Sequence, residues 1–145
     1  MWRGLLIALT LALAGCQQLP LTPEDLQAKK FESVPDKAVI YLVRDDPDFS
    51  TIQSQISLGD KLLMKTNPGT YYRWEVPPGT HRITGSGEDS GTIDVQAERG
   101  RIYFVQQRVQ GLRQASSRFY LVSEQAGRAA IMRAVLLLPV GALTM

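Results

Sequence analysis

Short apolar runs alternate with turn residues along the chain between residues 38 and 122. Residues 39–43 (VIYLV) and 102–105 (IYFV) are apolar at successive positions, which predicts strands buried on both faces. Gly59 and Asp60 lie between two strand-like runs and predict a two-residue hairpin turn. We expect about seven to eight short strands and no long helices between them. The pattern predicts an all-β fold, an antiparallel β-sandwich.

The segment 70–76 has the clearest two-residue period in the chain. Its alternation places Tyr72 and Trp74 on one face and Tyr71 and Arg73 on the other. Because Tyr72 and Trp74 share a face with further apolar positions, we predict that they lie in the core. We expect Tyr71, beside Arg73, to face solvent.

The C-terminal region has a helical pattern instead. Ser123 can cap a helix, and residues 126–137 are rich in good helix formers. Pro139 is expected to end this short C-terminal helix. The apolar tail from Ala134 to Met145 is broken by Pro139 and is too short to span a membrane, since a span needs about 20 apolar residues.

The first sixteen residues have the layout of a secretory signal helix. Arg3 supplies a positive charge, an apolar run follows, and the run closes with Leu13-Ala14-Gly15-Cys16. These four residues resemble the lipobox of bacterial lipoproteins. The resemblance implies cleavage between Gly15 and Cys16 and attachment of acyl chains such as palmitate to Cys16. The alternative is an ordinary secretory signal whose cysteine is incidental.

Cys16 is the only cysteine, so an internal disulfide is excluded. Gln17 follows it where an aspartate would be expected for inner-membrane retention. By resemblance to the sorting rule of proteobacterial lipoproteins, this implies the periplasmic face of the outer membrane. The formal net charge of +2 gives no basic surplus for nucleic acid, and export argues against that partner independently.

These patterns divide the chain into four segments. The next stretch after the signal is punctuated by prolines, and Thr22 can cap a short helix with Pro23 at its first position. We predict a signal peptide at 1–15, a lipidated tether at 16–36, a β-sandwich at 37–123, and a C-terminal helix with an apolar tail at 124–145.

Few residues suggest metal binding or catalysis. His81 is the only histidine, whereas a zinc site needs three or four ligands. We expect a half-buried His81 hydrogen-bonded near its turn, with a catalytic role beside a serine as the alternative. Asp45, Asp46 and Asp48 lack the glycine and glutamate of an EF-hand loop and are expected to be solvated. No metal and no cofactor are predicted.

The order of motifs from residue 38 to 136 resembles a bacterial lipoprotein family, domain of unknown function twenty-eight forty-six. The segments that carry the resemblance are AVIYLVR, ISLGDKLL, GTYYRWEVPPGTHRI, AERGRIYFV and FYLVSEQAG. The loop DDPDFSTIQ departs from the smoother family pattern. The resemblance implies a lipoprotein signal and this β fold, and it implies no activity.

Three hypotheses on function follow. The first is a non-enzymatic envelope lipoprotein whose sandwich is an interaction or structural module, with an envelope protein or peptidoglycan as partner. The second is a glycan- or peptidoglycan-binding module that uses Tyr71 and Arg73, since aromatic faces stack on sugars. The third is a hydrolase whose site is not recognisable in the sequence.

Overall fold

The computed structural model describes residues 21–45, 50–60, 62–87 and 89–138. These residues form two helices and nine strands. Their bounds, in chain order, are α1 Pro23–Ala28, β1 Ala38–Arg44, β2 Ser54–Leu58, β3 Leu62–Thr66, β4 Thr70–Val76, β5 Gly79–Gly85, β6 Thr92–Ala97, β7 Ile102–Gln110, β8 Ser116–Val122, α2 Glu124–Met132 and β9 Val135–Leu136.

The strands form two stacked sheets, so the predicted β-sandwich is confirmed. One sheet has five strands in the order β8-β7-β1-β4-β9, and the other has four in the order β3-β2-β5-β6. Most neighbours are antiparallel, but β1 runs parallel to β7 and β4 runs parallel to β9. The five-stranded sheet is therefore mixed.

The space between the sheets holds the main hydrophobic core. Ile40, Tyr72 and Trp74 point into it from the five-stranded sheet, and Ile56 and Ile83 point into it from the four-stranded sheet. The prediction that Tyr72 and Trp74 belong to the core is confirmed. At about 25 cal/mol per Å² of apolar surface, this burial is the main stabilising contribution to the fold.

The opposite face of the five-stranded sheet is buried as well. Val39, Tyr41 and Val43 contact a second apolar cluster that includes Phe31 and Ile131 from the helical segments. Residues 39–43 are buried on both faces as a result, as the unbroken apolar run predicts, and Arg44 at the end of β1 is buried as well. The helices thus form a third layer over the five-stranded sheet.

Helix α2 ends earlier than predicted. Its last residue is Met132, and Val135–Leu136 form the edge strand β9 instead of a fourth helical turn. The backbone N–H of Val135 donates to Gly69 O at 2.9 Å, and that of Leu137 donates to Tyr71 O at 2.8 Å. These hydrogen bonds pair backbone carbonyls at the edge of β4 that would otherwise lack partners. A continued helix could not pair them, because its own N–H groups bond within the helix.

The β2–β3 hairpin is present, but its turn is longer than predicted. Leu58 pairs with Leu62, so three residues connect the strands rather than two. Gly59 has a φ of +63°, a left-handed conformation that glycine adopts without steric cost.

The segment predicted to be a tether is largely part of the domain. Thr22 caps α1 as predicted, because its Oγ1 accepts the backbone N–H of Asp25 at 3.1 Å. Ala28 and Phe31 are buried against the five-stranded sheet. Residues 16–20 lie outside the described residues, as do the signal segment and the tail from residue 139 onward.

Gly127 sets the distance between α2 and the sheet. A Cβ atom at this position would overlap the side chain of Phe104. Gly127→Ala would gain about 1 kcal/mol from helix propensity alone. Overpacking costs about 1–3 kcal/mol, so we expect a net loss of stability.

Denaturant unfolding of Gly127→Ala measures this balance. The exposed neighbour Gln125 provides the control, and Gln125→Ala should leave the unfolding midpoint nearly unchanged. A raised midpoint for Gly127→Ala would mean that α2 does not pack as closely as described.

Candidate functional site

A buried carboxylate joins the N-terminal helix to the C-terminal strand. Asp25 is 1% exposed, and its Oδ1 accepts the Tyr71 hydroxyl at 2.6 Å and pairs with Lys29 Nζ at 3.1 Å. Its Oδ2 accepts the backbone N–H of Leu136 at 3.3 Å. Lys29 Nζ also donates to Ala134 O at 2.8 Å. This set, Asp25, Lys29 and Tyr71, is called the Asp25 cluster below.

The Asp25 cluster overturns the predicted exposure of Tyr71. Tyr71 is on the face opposite Tyr72, as the alternation predicts, but it is 1% exposed because α1 and β9 cover it. Burial raises the pKa of its hydroxyl above the usual 10, and the hydrogen bond to Asp25 raises that pKa further. Tyr71 therefore cannot offer its ring to a sugar.

Arg73 lies at the edge of the same layer and is partly accessible. Its Nη1 donates to Glu75 Oε1 at 2.8 Å, its Nε donates to the Tyr41 hydroxyl at 3.2 Å, and its Nη2 donates to Glu32 O at 3.4 Å. Tyr41 in turn donates to Ala28 O at 2.6 Å. Arg73 thus connects β4 to the segment that follows α1.

A groove of about 540 Å³ opens between α1 and β9. Its apolar lining includes Val34 and Leu138, and its polar lining includes Glu24, Glu32 and Arg73. Two carboxylates of the groove already have partners: Glu32 accepts from Gln27 at 2.9 Å, and Glu75 pairs with Arg73. We call this cavity the α1–β9 groove.

The remaining predicted site residues lie apart from the groove. His81 is on β5 in the other sheet, and its Nε2 donates to Pro77 O at 2.6 Å, which confirms the predicted hydrogen bond near the turn. Asp45 accepts from Gln106 and pairs with Arg133, so it is not simply solvated. Asp46 and Asp48 are outside the described residues.

Sequence reasoning missed one exposed aromatic side chain. Tyr120 on β8 is 47% exposed, and it is the only aromatic residue among the large exposed apolar side chains of the described chain. The residues of β8 do not alternate cleanly between buried and exposed positions, since Tyr120 and Leu121 are both exposed, so the sequence pattern gave no signal for Tyr120.

Within the described residues, no group of three or more histidines, cysteines or acidic side chains is placed to hold a metal ion. Among the same residues, no helix has the length and apolar character needed to cross a membrane. Comparison with protein-family models found no match, and comparison with curated proteins found no relative. The resemblance to domain of unknown function twenty-eight forty-six therefore stays a prediction.

The buried tyrosines predict a loss of stability in alkali. Burial raises the pKa values of both Tyr41 and Tyr71 above 10 in the native state. Above about pH 10 the unfolded chain therefore binds fewer protons than the native protein, and the free energy of unfolding falls as pH rises. Below about pH 10 this contribution is fully present.

Tyr71→Phe should make this decline shallower, because one of the tyrosines with a raised pKa is removed while Tyr41 and Tyr72 remain. Urea unfolding between about pH 8 and 11 measures the slope. Tyr120→Phe, at an exposed position, serves as the matched control and should keep the wild-type slope. A Tyr71→Phe slope equal to that of wild type would contradict the buried placement of the hydroxyl.

Proposed function

We propose that this protein is a bacterial lipoprotein that acts by binding and is held at the periplasmic face of the outer membrane by lipid on Cys16. The observation that carries the proposal is the sequence Leu13-Ala14-Gly15-Cys16 at the end of an apolar segment. A single acyl chain binds a membrane only marginally, so two or more chains are needed for a stable anchor.

The fold makes the proposed tether short. Helix α1 begins at Pro23 and packs on the sheet, so only residues 17–20 and the exposed Leu21 separate Cys16 from the Thr22 cap. A chain of this length spans at most about 20 Å. A domain held so close to the bilayer would have the α1 side of its sheet near the lipid surface.

The α1–β9 groove is the interaction surface that we assign to this proposal. It combines apolar walls with a few polar groups, the composition that is typical of ligand and peptide pockets. Because the groove lies beside α1, the short tether would hold it near the membrane surface, where other membrane-associated envelope proteins are located. We therefore propose an envelope protein as the partner.

The other hypotheses have less support from the geometry. The glycan module based on Tyr71 and Arg73 loses its aromatic platform, because Tyr71 is buried. A hydrolase would need a carboxyl group free to exchange protons with substrate. Of the carboxylates in the groove, Glu32 accepts from Gln27 and Glu75 is paired with Arg73 and Lys37, which leaves Glu24 alone where glycoside hydrolysis uses two carboxyl groups.

The anchor is tested by Cys16→Ala in cells given a radiolabelled fatty acid. We expect the variant to lose both the acyl label and its place in the membrane fraction, because no other cysteine can take the lipid. If the variant kept both the acyl label and its place in the membrane fraction, the proposed anchor would be wrong.

The interaction surface is tested in the same cells with a photoreactive residue at Gln27, in the groove. Gln96, exposed on β6 in the other sheet, is the matched control position. We expect a discrete crosslinked protein from position 27 that is absent from position 96 and weakened by Cys16→Ala. Equal crosslinking at both positions would contradict the groove as the binding surface.

A further inference from the structure

A second cavity lies on the outer face of the five-stranded sheet, beside α2. It has a volume of about 250 Å³. Its apolar floor is formed by Val43, Val122 and the alanines of α2, and its polar rim by Asp45, Gln106 and Arg133. The cavity belongs to the β8 half of the sheet, whereas the α1–β9 groove lies at the opposite edge.

Tyr120 does not itself line this cavity, but its place in the sheet adjoins two residues that do. Tyr120 pairs with Gln106 across β7 and β8, and it shares a strand face with Val122, so it adjoins two lining residues. The guanidinium of Arg108 lies 5.5 Å from the centre of the Tyr120 ring. A cation over one face fixes the orientation of the ring.

The polar rim is already ordered. Asp45 Oδ2 accepts from Gln106 Nε2 at 2.6 Å, and Asp45 Oδ1 accepts from Arg133 Nη2 at 3.4 Å. A carboxylate that accepts these bonds still has lone pairs for further donors. The rim therefore combines the Asp45 carboxylate as acceptor, the Gln106 amide as donor and acceptor, and the Arg133 guanidinium as donor.

This combination fits a neutral polyhydroxylated ring better than a charged ligand. An anion would meet the Asp45 carboxylate, and a cation would meet Arg108 and Arg133. Adjacent hydroxyl groups both donate and accept, which matches the mixed rim, and the C–H face of a sugar can pack on an aromatic ring. The volume is below the 300–1,000 Å³ typical of drug-sized ligands, so it suits a single ring.

We propose that the cavity lined by Asp45, Gln106 and Arg133, together with the adjoining ring of Tyr120, binds one neutral pyranose unit of a glycan. The unit would be held by hydrogen bonds to the rim and by contact with the tyrosine ring. This site is separate from the α1–β9 groove, and it does not depend on lipid attachment at Cys16. The sugar could come from the peptidoglycan strand or from a soluble oligosaccharide.

Two probes distinguish these sources: sedimentation of the full-length protein with purified sacculi, and titration with a soluble chitooligosaccharide. We expect binding of at least one probe, with the affinity lowered about tenfold or more by Tyr120→Ala. Asp45→Asn should weaken binding as well, because the amide donates where the carboxylate accepts. Tyr120→Phe keeps the ring and should retain affinity within about threefold.

Leu112→Ala is the matched surface control, since Leu112 is 95% exposed and lies away from the cavity. Thermal unfolding of each variant checks that the fold is intact. Binding to sacculi alone assigns the site to the peptidoglycan strand, and binding to the soluble sugar assigns it to free glycans. The proposal is overturned if wild type binds neither probe, or if folded Tyr120→Ala and Asp45→Asn bind as wild type does.

Discussion

The structure depends on the burial of one carboxylate, Asp25, under the edge of the five-stranded sheet. A buried charge is tolerated only when it is paired and hydrogen-bonded, and Asp25 obtains these partners from three elements. Lys29 comes from the segment after α1, Tyr71 from β4, and the Leu136 amide from β9. The two ends of the described chain are therefore joined to each other as well as to the sheet.

This constraint determines which surfaces are available for function. With α1 and β9 fixed over Tyr71, the face opposite the inter-sheet core becomes a covered layer with a groove at one edge. The other half of that face holds the smaller cavity, which Asp45 lines and Tyr120 adjoins. The two candidate binding surfaces thus lie on either side of the helical layer. The proposed lipid anchor is close in the chain to α1 and therefore to the α1–β9 groove.

The sequence predicted local features well because local chemistry decides them. The unbroken apolar run of β1, the alternation of β4, and the caps Thr22 and Ser123 depend on residues close in the chain. The bond that joins Asp25 to Leu136 spans 111 positions, and periodicity carries no information on such a contact. The predicted solvent exposure of Tyr71 was therefore wrong.

The same limit explains the other differences from the sequence-based expectations. Residues 135–136 have no strand partner that the sequence could indicate, since β4 offers its free edge only in the folded sheet. The proline-rich stretch around α1 has little periodicity, yet the ring of Phe31 holds it on the sheet through tilted contacts with Tyr41 and Phe104. Asp45 lines the smaller cavity and Tyr120 adjoins it from a strand 75 positions later, so the local sequence could not predict that they lie near each other.

The most direct test of this account is amide hydrogen exchange in Asp25→Asn, with Glu24→Gln on the exposed face of α1 as the control. Removing the charge leaves Lys29 buried without its ionic partner, which costs about 3–5 kcal/mol. We expect the amides of Val135, Leu136 and Leu137 to exchange much faster in Asp25→Asn, and those of the β2–β5 pair to exchange as in wild type after correction for global stability. Unchanged protection of the β9 amides in Asp25→Asn would contradict the claim that this carboxylate holds the two termini on the sheet.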